Sequence, residues 1–411
     1  MSVSRSQPLL SGSGDRTGGA DPDLASFTVI GGGPLFRFLR RMRLAGSEME
    51  FLSRRILAAS AVAWIPLAVL SLFGGRAWGT SVRIPFFSDI DLHARLLLGL
   101  PLLLAAERVV FRRTRLTAPE FLRRGLVPEA ERPRFDAAVA SARRWRDSSL
   151  AEGLILLVVY SVGVLYLWRH HFALLMATWY AIPSGVGHRL TAAGWWYALV
   201  TIPLVQFILL RWYYRIAVWA RLLWHISRLN LRLIPTHPDH CGGLGFLATA
   251  IRAYWTLLLA QGVFVAGAIA NRIFFAGAQL AEFKVELAVF AVLALLLVLG
   301  PSLVFASPLT RARRTGRREY GRLAEDYVRA FDRRWLRDEP VAGRELLGHP
   351  DIQSLADMAN SYELIRRMQA VPFNRGIVLE LAFAALAPVA PLLLTTFPVE
   401  ALIERVLKMI F

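Results

Sequence analysis

Apolar residues gather in seven stretches along this chain, at residues 56–73, 93–111, 150–168, 195–210, 255–270, 287–306 and 376–398. A stretch of roughly 20 apolar residues crosses the ~30 Å hydrocarbon core of a bilayer as a helix. The pattern predicts an all-α polytopic bundle of about seven transmembrane helices. The fifth stretch is the weakest, since it carries Gln261 and ends at Asn271-Arg272.

The segments between the stretches alternate in basic charge. The region up to Arg55 holds 8 Lys and Arg, 112–149 holds 10, 212–254 holds 5 and 308–375 holds 14. The alternate segments 74–92, 169–194, 271–285 and 397–411 hold 2 each. Basic residues near span ends mark the cytoplasmic side, so the chain is expected to start inside and end outside. Trp168, Trp195, Trp196 and Trp255 fall at predicted span ends, where amphipathic rings favour the interface. The expected organisation is a basic N-terminal region at 1–50, with 1–23 disordered. A six-span region at 51–306 carries cytoplasmic loops 112–149 and 212–254. A cytoplasmic amphipathic segment follows at 307–375, then a last span with tail at 376–411. No cleavable leader is expected, and the first span reads as an uncleaved signal-anchor.

Composition sharpens this placement. A hydrophobic fraction of 55% exceeds that of a soluble domain, and a net charge of +18 distributed beside the spans argues for lipid and against nucleic acid. Only Lys284 and Lys408 are lysine, a bias that reads as GC-rich coding and predicts a bacterial inner membrane. The sole cysteine, Cys241, excludes an intrachain disulfide.

Outside the spans, Tyr320, Leu323, Tyr327, Phe331 and Trp335 recur at helical spacing and predict a helix over 317–337. It would either pack on other cytoplasmic helices or lie on anionic headgroups. A second helix is expected from Asp351, as N-cap, to about Gln369. The fourth span is expected to continue through Leu233, with Arg221, His225, Arg228 and Arg232 on one face. Together with 133–146 these would build a basic cytoplasmic helical layer. The run 172–182 is too short to cross and reads as interfacial or re-entrant.

Candidate chemistry concentrates in 233–246, Leu-Ile-Pro-Thr-His-Pro-Asp-His-Cys-Gly-Gly-Leu-Gly-Phe. Three readings stay open. His237, Asp239, His240 and Cys241 are metal-competent and could hold a divalent metal with a remote His349 or His225. The amides of Gly242, Gly243 and Gly245 could cradle an anion. The segment could also be a structural turn into the fifth span. Within the spans, Glu107, Glu152, Gln206, Gln261 and Glu380 fall at similar depth and suggest a polar vestibule. Glu107 and Glu152 could equally pair with Arg108 and Arg112 at the interface. Gly300-Pro301 is the expected hinge. Asp89, Asp91, His93, His170, His171 and His188 lie in the predicted outer loops, where a divalent-metal site is a further reading.

Two segments carry a resemblance. Pro235-Thr-His-Pro-Asp239 with Gly242-Gly-Leu-Gly245, and Ile352-Gln-Ser-Leu-Ala-Asp357 with Val371-Pro-Phe373, resemble uncharacterised bacterial multi-pass membrane proteins without an assigned activity. The resemblance implies membrane placement and no catalytic residue. The leading expectation is a permease- or channel-like protein, with a vestibule of Gln206, Gln261 and Glu380 closed by the 237–245 loop. The alternatives are an inner-leaflet enzyme using that loop, and a scaffold binding a cytoplasmic partner or anionic lipid through its basic helices.

Overall fold

The structure, a computed structural model, describes residues 28, 30–42, 51–79, 82–167, 178–184, 187–337 and 349–395. Helix α1 spans Pro34–Arg41 and α2 spans Leu52–Phe73. Helix α3 covers residues 90–114, α4 Thr117–Arg123, α5 Arg132–Arg146 and α6 residues 149–167. A hairpin follows, β1 (Ala181–Ser184) paired antiparallel with β2 (Gly187–Leu190). Then come α7 (Ala192–Ser227), α8 (Leu247–Ala276), α9 (Leu280–Arg337), α10 (Pro350–Arg366) and α11 (Arg375–Thr395).

Five helices, α2, α7, α8, α9 and α11, are long and apolar enough to cross a membrane. The other two predicted spans are also helical but differ in quality. Helix α3 carries Arg95, Glu107, Arg108, Arg112 and Arg113, a charge load that an isolated span does not tolerate. The described apolar part of α6, Ser149–Gly163, is shorter than an ordinary span. The outer faces of these helices suit lipid. Leu57, Ile65, Val69 and Leu72 of α2 are exposed, as are Val285, Val289, Val292 and Leu296 of α9. Such continuous apolar stripes on a surface mark contact with lipid or another chain.

Among the described residues, three hydrophobic clusters form the interior, the smallest joining Ile269 of α8, Leu280 and Phe283 of α9 and Val389 of α11. The first joins Leu67 of α2, Leu100 and Leu103 of α3, Trp212 of α7, Leu257 and Leu258 of α8 and Leu381 of α11. The second joins Phe121 of α4, Phe135 and Val139 of α5, the final turns of α7, Cys241 and Leu244, and Phe305 and Leu309 of α9. Helices α8 and α11 approach closely because Gly262 faces the carbonyl of Ala385; a Cβ there would lie 2.1 Å from that oxygen.

The prolines leave local signatures. Pro101 and Pro203 each follow wide π turns, at 94–99 and 197–201. These turns absorb the missing N–H without ending the helix. At the expected hinge, residues 300–305 wind more tightly as a 3₁₀ turn, and α9 then continues unbroken to Arg337. The predicted helix over 317–337 is thus the tail of a span. Helix α10 folds back on that tail. Tyr327 Oη donates to the Asp351 carbonyl at 2.9 Å, and Trp335 Nε1 donates to Asp351 Oδ2 at 3.1 Å.

Other expectations are corrected. Helix α7 stops at Ser227, not Leu233, and Arg232 N donates to Leu126 O at 2.8 Å, so Arg232 leaves the shared face. His349, not Asp351, caps α10, its imidazole accepting from Asp351 N at 3.2 Å. Within 172–182, residues 172–177 lie outside the described residues. Ala181 and Ile182 belong to β1, where Ile182 pairs with Arg189. His170 and His171 also lie outside the described residues.

Candidate functional site

The two segments that carry the resemblance meet in space. Gln369 N donates to His240 O at 2.7 Å, and Cys241 Sγ lies 3.7 Å from Val371 O. Between them opens a groove of about 410 Å³. Arg124 and Arg252 line it, with Asp239, Gln369 and Asn374 as further polar groups and Phe246, Pro372, Phe373 and Ile377 as apolar wall. Helices α8 and α11 both start here, so the groove sits where the first and second clusters meet. Arg124 stacks over the Phe246 ring at 5.0 Å. Arg252 Nε donates to Glu380 Oε2 at 3.0 Å across an exposed pair.

The loop itself is organised around one carboxylate. Asp239 Oδ1 accepts from Cys241 N at 2.8 Å and Gly243 N at 3.1 Å, while Oδ2 accepts from Gly245 N at 2.7 Å. His237 Nδ1 lies 2.9 Å from Oδ1. Burial alone would raise the Asp239 carboxyl. The three amides and His237 outweigh it and hold the group below its ordinary value. The glycine-rich amides do cradle an anion, and that anion is the chain's own Asp239. Gly243, at φ +99°, presses a would-be Cβ to 2.9 Å from Leu126, so only glycine suits both the turn and the contact. Burial lifts the Cys241 thiol to about 12, beside the Asp239 charge, which leaves the thiol protonated and inert at neutral pH.

The metal reading finds no geometric support. Among the described residues, no three His, Cys, Asp or Glu side chains gather as a metal site. The His237 side chain pairs with Asp239, Cys241 faces Gln369 and Val371, His349 caps α10, and His225 meets Trp224 edge-on. At the opposite end of the bundle, Asp89 accepts from Trp179 Nε1 at 2.9 Å and Asn271 Nδ2 at 2.8 Å. Asp91 pairs with Arg95 at 2.9 Å, and His93 Nδ1 lies 2.7 Å from Asp89 O. These groups tie the hairpin to α3 and α8. His188 lies in β2.

The five polar span residues divide. Glu107 and Glu152 come together in a buried ion network that sequence reading missed. Glu107 pairs with Arg55 through Oε2, and its Oε1 accepts from Arg215 Nη1 at 2.6 Å. Arg211 Nε donates to Glu152 Oε1 at 3.2 Å and reaches Glu107 at 3.8 Å. All three arginines are 5–6% exposed. The partners are therefore not Arg108 and Arg112, which stay exposed. The available signal was Arg211 and Arg215, one turn apart inside the long α7. Gln206, Gln261 and Glu380 stay apart. Gln206 Oε1 is buried against Gly163 without a hydrogen-bond partner. Gln261 Nε2 donates to Tyr213 Oη at 3.3 Å in an apolar cleft of about 450 Å³. Glu380 pairs with Arg252 at the groove.

No family model, no curated protein and no solved structure matches the chain. The geometry alone therefore carries the functional reading.

Proposed function

We propose that the chain is a seven-span protein of a bacterial inner membrane, with its arginine-rich end in the cytoplasm. In this reading it recognises an anionic amphiphile, of the phospholipid headgroup class, in the groove between the 235–246 loop and 368–377. The carrying observation is that groove. Two arginines of different elements, Arg124 and Arg252, line it beside Asp239, Gln369 and Asn374 and an apolar wall of Phe246, Pro372, Phe373 and Ile377, where two of the long apolar helices begin. In the seven-span reading the start of two spans falls at the level of lipid phosphates, and guanidinium groups bind phosphate oxygens with fork geometry. Arg252 is held by an exposed, exchangeable partner in Glu380, and such a pair is worth little by itself. A phosphate can therefore take over one of its arms.

The basic tail of α9, with Arg311, Arg314, Arg318 and Arg322 exposed, supports the same orientation toward anionic lipid. A permease-like role finds less support, because Gln206, Gln261 and Glu380 occupy separate surroundings. An enzyme built on the 237–245 loop also finds less, because Asp239 is engaged by three amides. The test is retention of anionic lipid by the protein in nanodiscs, read by native mass spectrometry. The Arg124→Ala, Arg252→Ala double variant is expected to lose about 10-fold in retention of anionic lipid and nothing for zwitterionic lipid. Equal retention by both proteins would sink the proposal.

A further inference from the structure

Three of the long apolar helices, α7, α8 and α9, enclose a cleft of about 450 Å³. That volume lies within the ~300–1,000 Å³ range of small-molecule sites. Its wall is apolar, with Leu209 of α7, Phe264 of α8 and Phe290 and Leu293 of α9. Leu293 is 60% exposed, on a face where Val289, Val292 and Leu296 are exposed too. The cleft therefore opens sideways, toward the lipid that such a face meets.

Only Gln261 and Tyr213 bring polar side chains to this wall. Gln261 is 6% exposed. Its Nε2 donates to Tyr213 Oη at 3.3 Å, just beyond the ordinary range for N–H···O bonds. The pair is left unsaturated. Tyr213 keeps a hydroxyl hydrogen to donate and Gln261 keeps Oε1 to accept, and among the described residues no further hydrogen bond reaches either group. Turning the amide over preserves this count: Tyr213 then donates to Oε1, while Nε2 is left to donate and Oη to accept. Either way one donor and one acceptor stand side by side. A polar group without a partner is costly at membrane depth. A hydrogen bond between spans can be simple glue, but glue needs no cleft of this size beside it.

The pair selects its ligand by chemistry. A carbonyl group only accepts and would satisfy one of the two. A hydroxyl accepts from one and donates to the other. None of the lining residues is charged, so a phosphate or carboxylate finds no counter-charge there. Depth narrows the class further. Gln261 lies about 9 Å along α8 from Trp255, the aromatic residue at its apolar start, at 1.5 Å per residue. The ester groups of a glycerolipid stay at the interface, above that level. An alcohol whose one hydroxyl is its only polar group can sink to it.

We infer that the cleft between α7, α8 and α9 binds a long-chain lipid alcohol of the polyprenol class, its hydroxyl on Gln261 and Tyr213 and its chain running past Phe290 and Leu293 into the bilayer. The inference rests on the bilayer placement of these three helices and not on whether α3 and α6 cross. Neither Arg124 nor Arg252 lines the cleft, so failure of the headgroup reading leaves it standing.

The test uses the full chain in nanodiscs with a polyprenol that carries a photoactivatable diazirine on its chain, adducts being located by peptide mass spectrometry. The competitors are unlabelled polyprenol, a polyprene hydrocarbon of the same length and a diacylglycerol. Adducts are expected on 209–213, 261–265 and 290–297, with unlabelled polyprenol competing about 10-fold better than the hydrocarbon or the diacylglycerol. Leu293→Trp blocks the opening from an exposed position and is expected to abolish these adducts. Gln261→Leu combined with Tyr213→Phe removes both polar groups and is expected to erase the preference while the hydrocarbon still competes. If that double variant fails to fold, Leu293→Trp and the competitor ranking decide the matter. Equal competition by the hydrocarbon or the diacylglycerol, adducts that survive Leu293→Trp, or a preference retained by the double variant would each overturn the inference. So would the absence of adducts in the wild-type cleft, the result expected if a second copy of the chain covers it.

Discussion

At the residue scale, the His-Pro-Asp tripeptide is a self-contained device that the chain uses twice. In both copies the histidine Nδ1 accepts from the aspartate N–H at 3.2 Å, and proline fixes the turn between them. What the aspartate does next differs. Asp351 holds Trp335 and Arg334 on the tail of α9, and Asp239 gathers three amides of the following loop. The second use makes Cys241 a reporter. Asp239→Asn keeps the shape but removes the charge and turns one of the two accepting oxygens into a donor facing an amide N–H, a loss of about 2–3 kcal/mol in loop stability. Maleimide labelling of Cys241, the only cysteine in the chain, is expected to accelerate at least 10-fold in that variant at pH 7, and an unchanged rate would refute the role given to Asp239. The sign with pH follows from its depressed carboxyl. The stabilisation is complete above the ordinary aspartate value and is lost as pH falls through the lowered one. Hydrogen exchange of 240–246 is therefore expected to be constant from pH 7 down to about 4 after correction for intrinsic rates. It should loosen only in stronger acid.

At the element scale, helices were legible in the sequence wherever one face had a single solvent. The apolar stripes of α2 and α9 repeat at helical spacing, and the structure places helices there. The ends were less legible, because they depend on partners distant in the chain. Helix α7 stops at Ser227 where Arg232 finds Leu126, and nothing local announces that stop. The strand at Ala181–Ser184 forms against Gly187–Leu190 from a run whose composition alone read as interfacial. The candidate loop was legible as a motif, but its meaning was not. Only the fold shows that its amides turn inward onto Asp239, and only the fold brings Glu107 to Arg215, 108 positions away in sequence. Close helix approach is equally invisible along the chain. Gly262 lets α8 touch the backbone of α11 at Ala385. Gly262→Val must push two spans apart, an overpacking cost of about 1–3 kcal/mol or more. A fall of several degrees in unfolding midpoint is expected, whereas Gly153→Val, with open space around its Cβ position, is expected to change little.

At the scale of the whole molecule, the open question is threading, and packing bears on it directly. If only the five most apolar helices cross, α3, α4, α5 and α6 all lie on the side that α2 reaches, and α7 then crosses back. Helix α5 and the last turns of α7 would end on opposite sides of the bilayer. Yet Phe135 and Val139 of α5 share one hydrophobic cluster with Val218, Leu222 and Ile226 of α7. That contact supports crossing by α3 and α6 as well. The charges of α3 fit this view. Glu107 is compensated by Arg55, Arg211 and Arg215 from neighbouring helices, and Arg95 by Asp91. A span that fails alone can be stable inside a bundle that pairs its charges. The two threadings put α5 on opposite sides, while both leave the C-terminus outside. Arg134, highly exposed on α5, is the discriminating position. Arg134→Cys in a Cys241→Ser background is expected to resist a membrane-impermeant maleimide in intact cells and to label fully after permeabilisation. Labelling in intact cells would reject the seven-span threading.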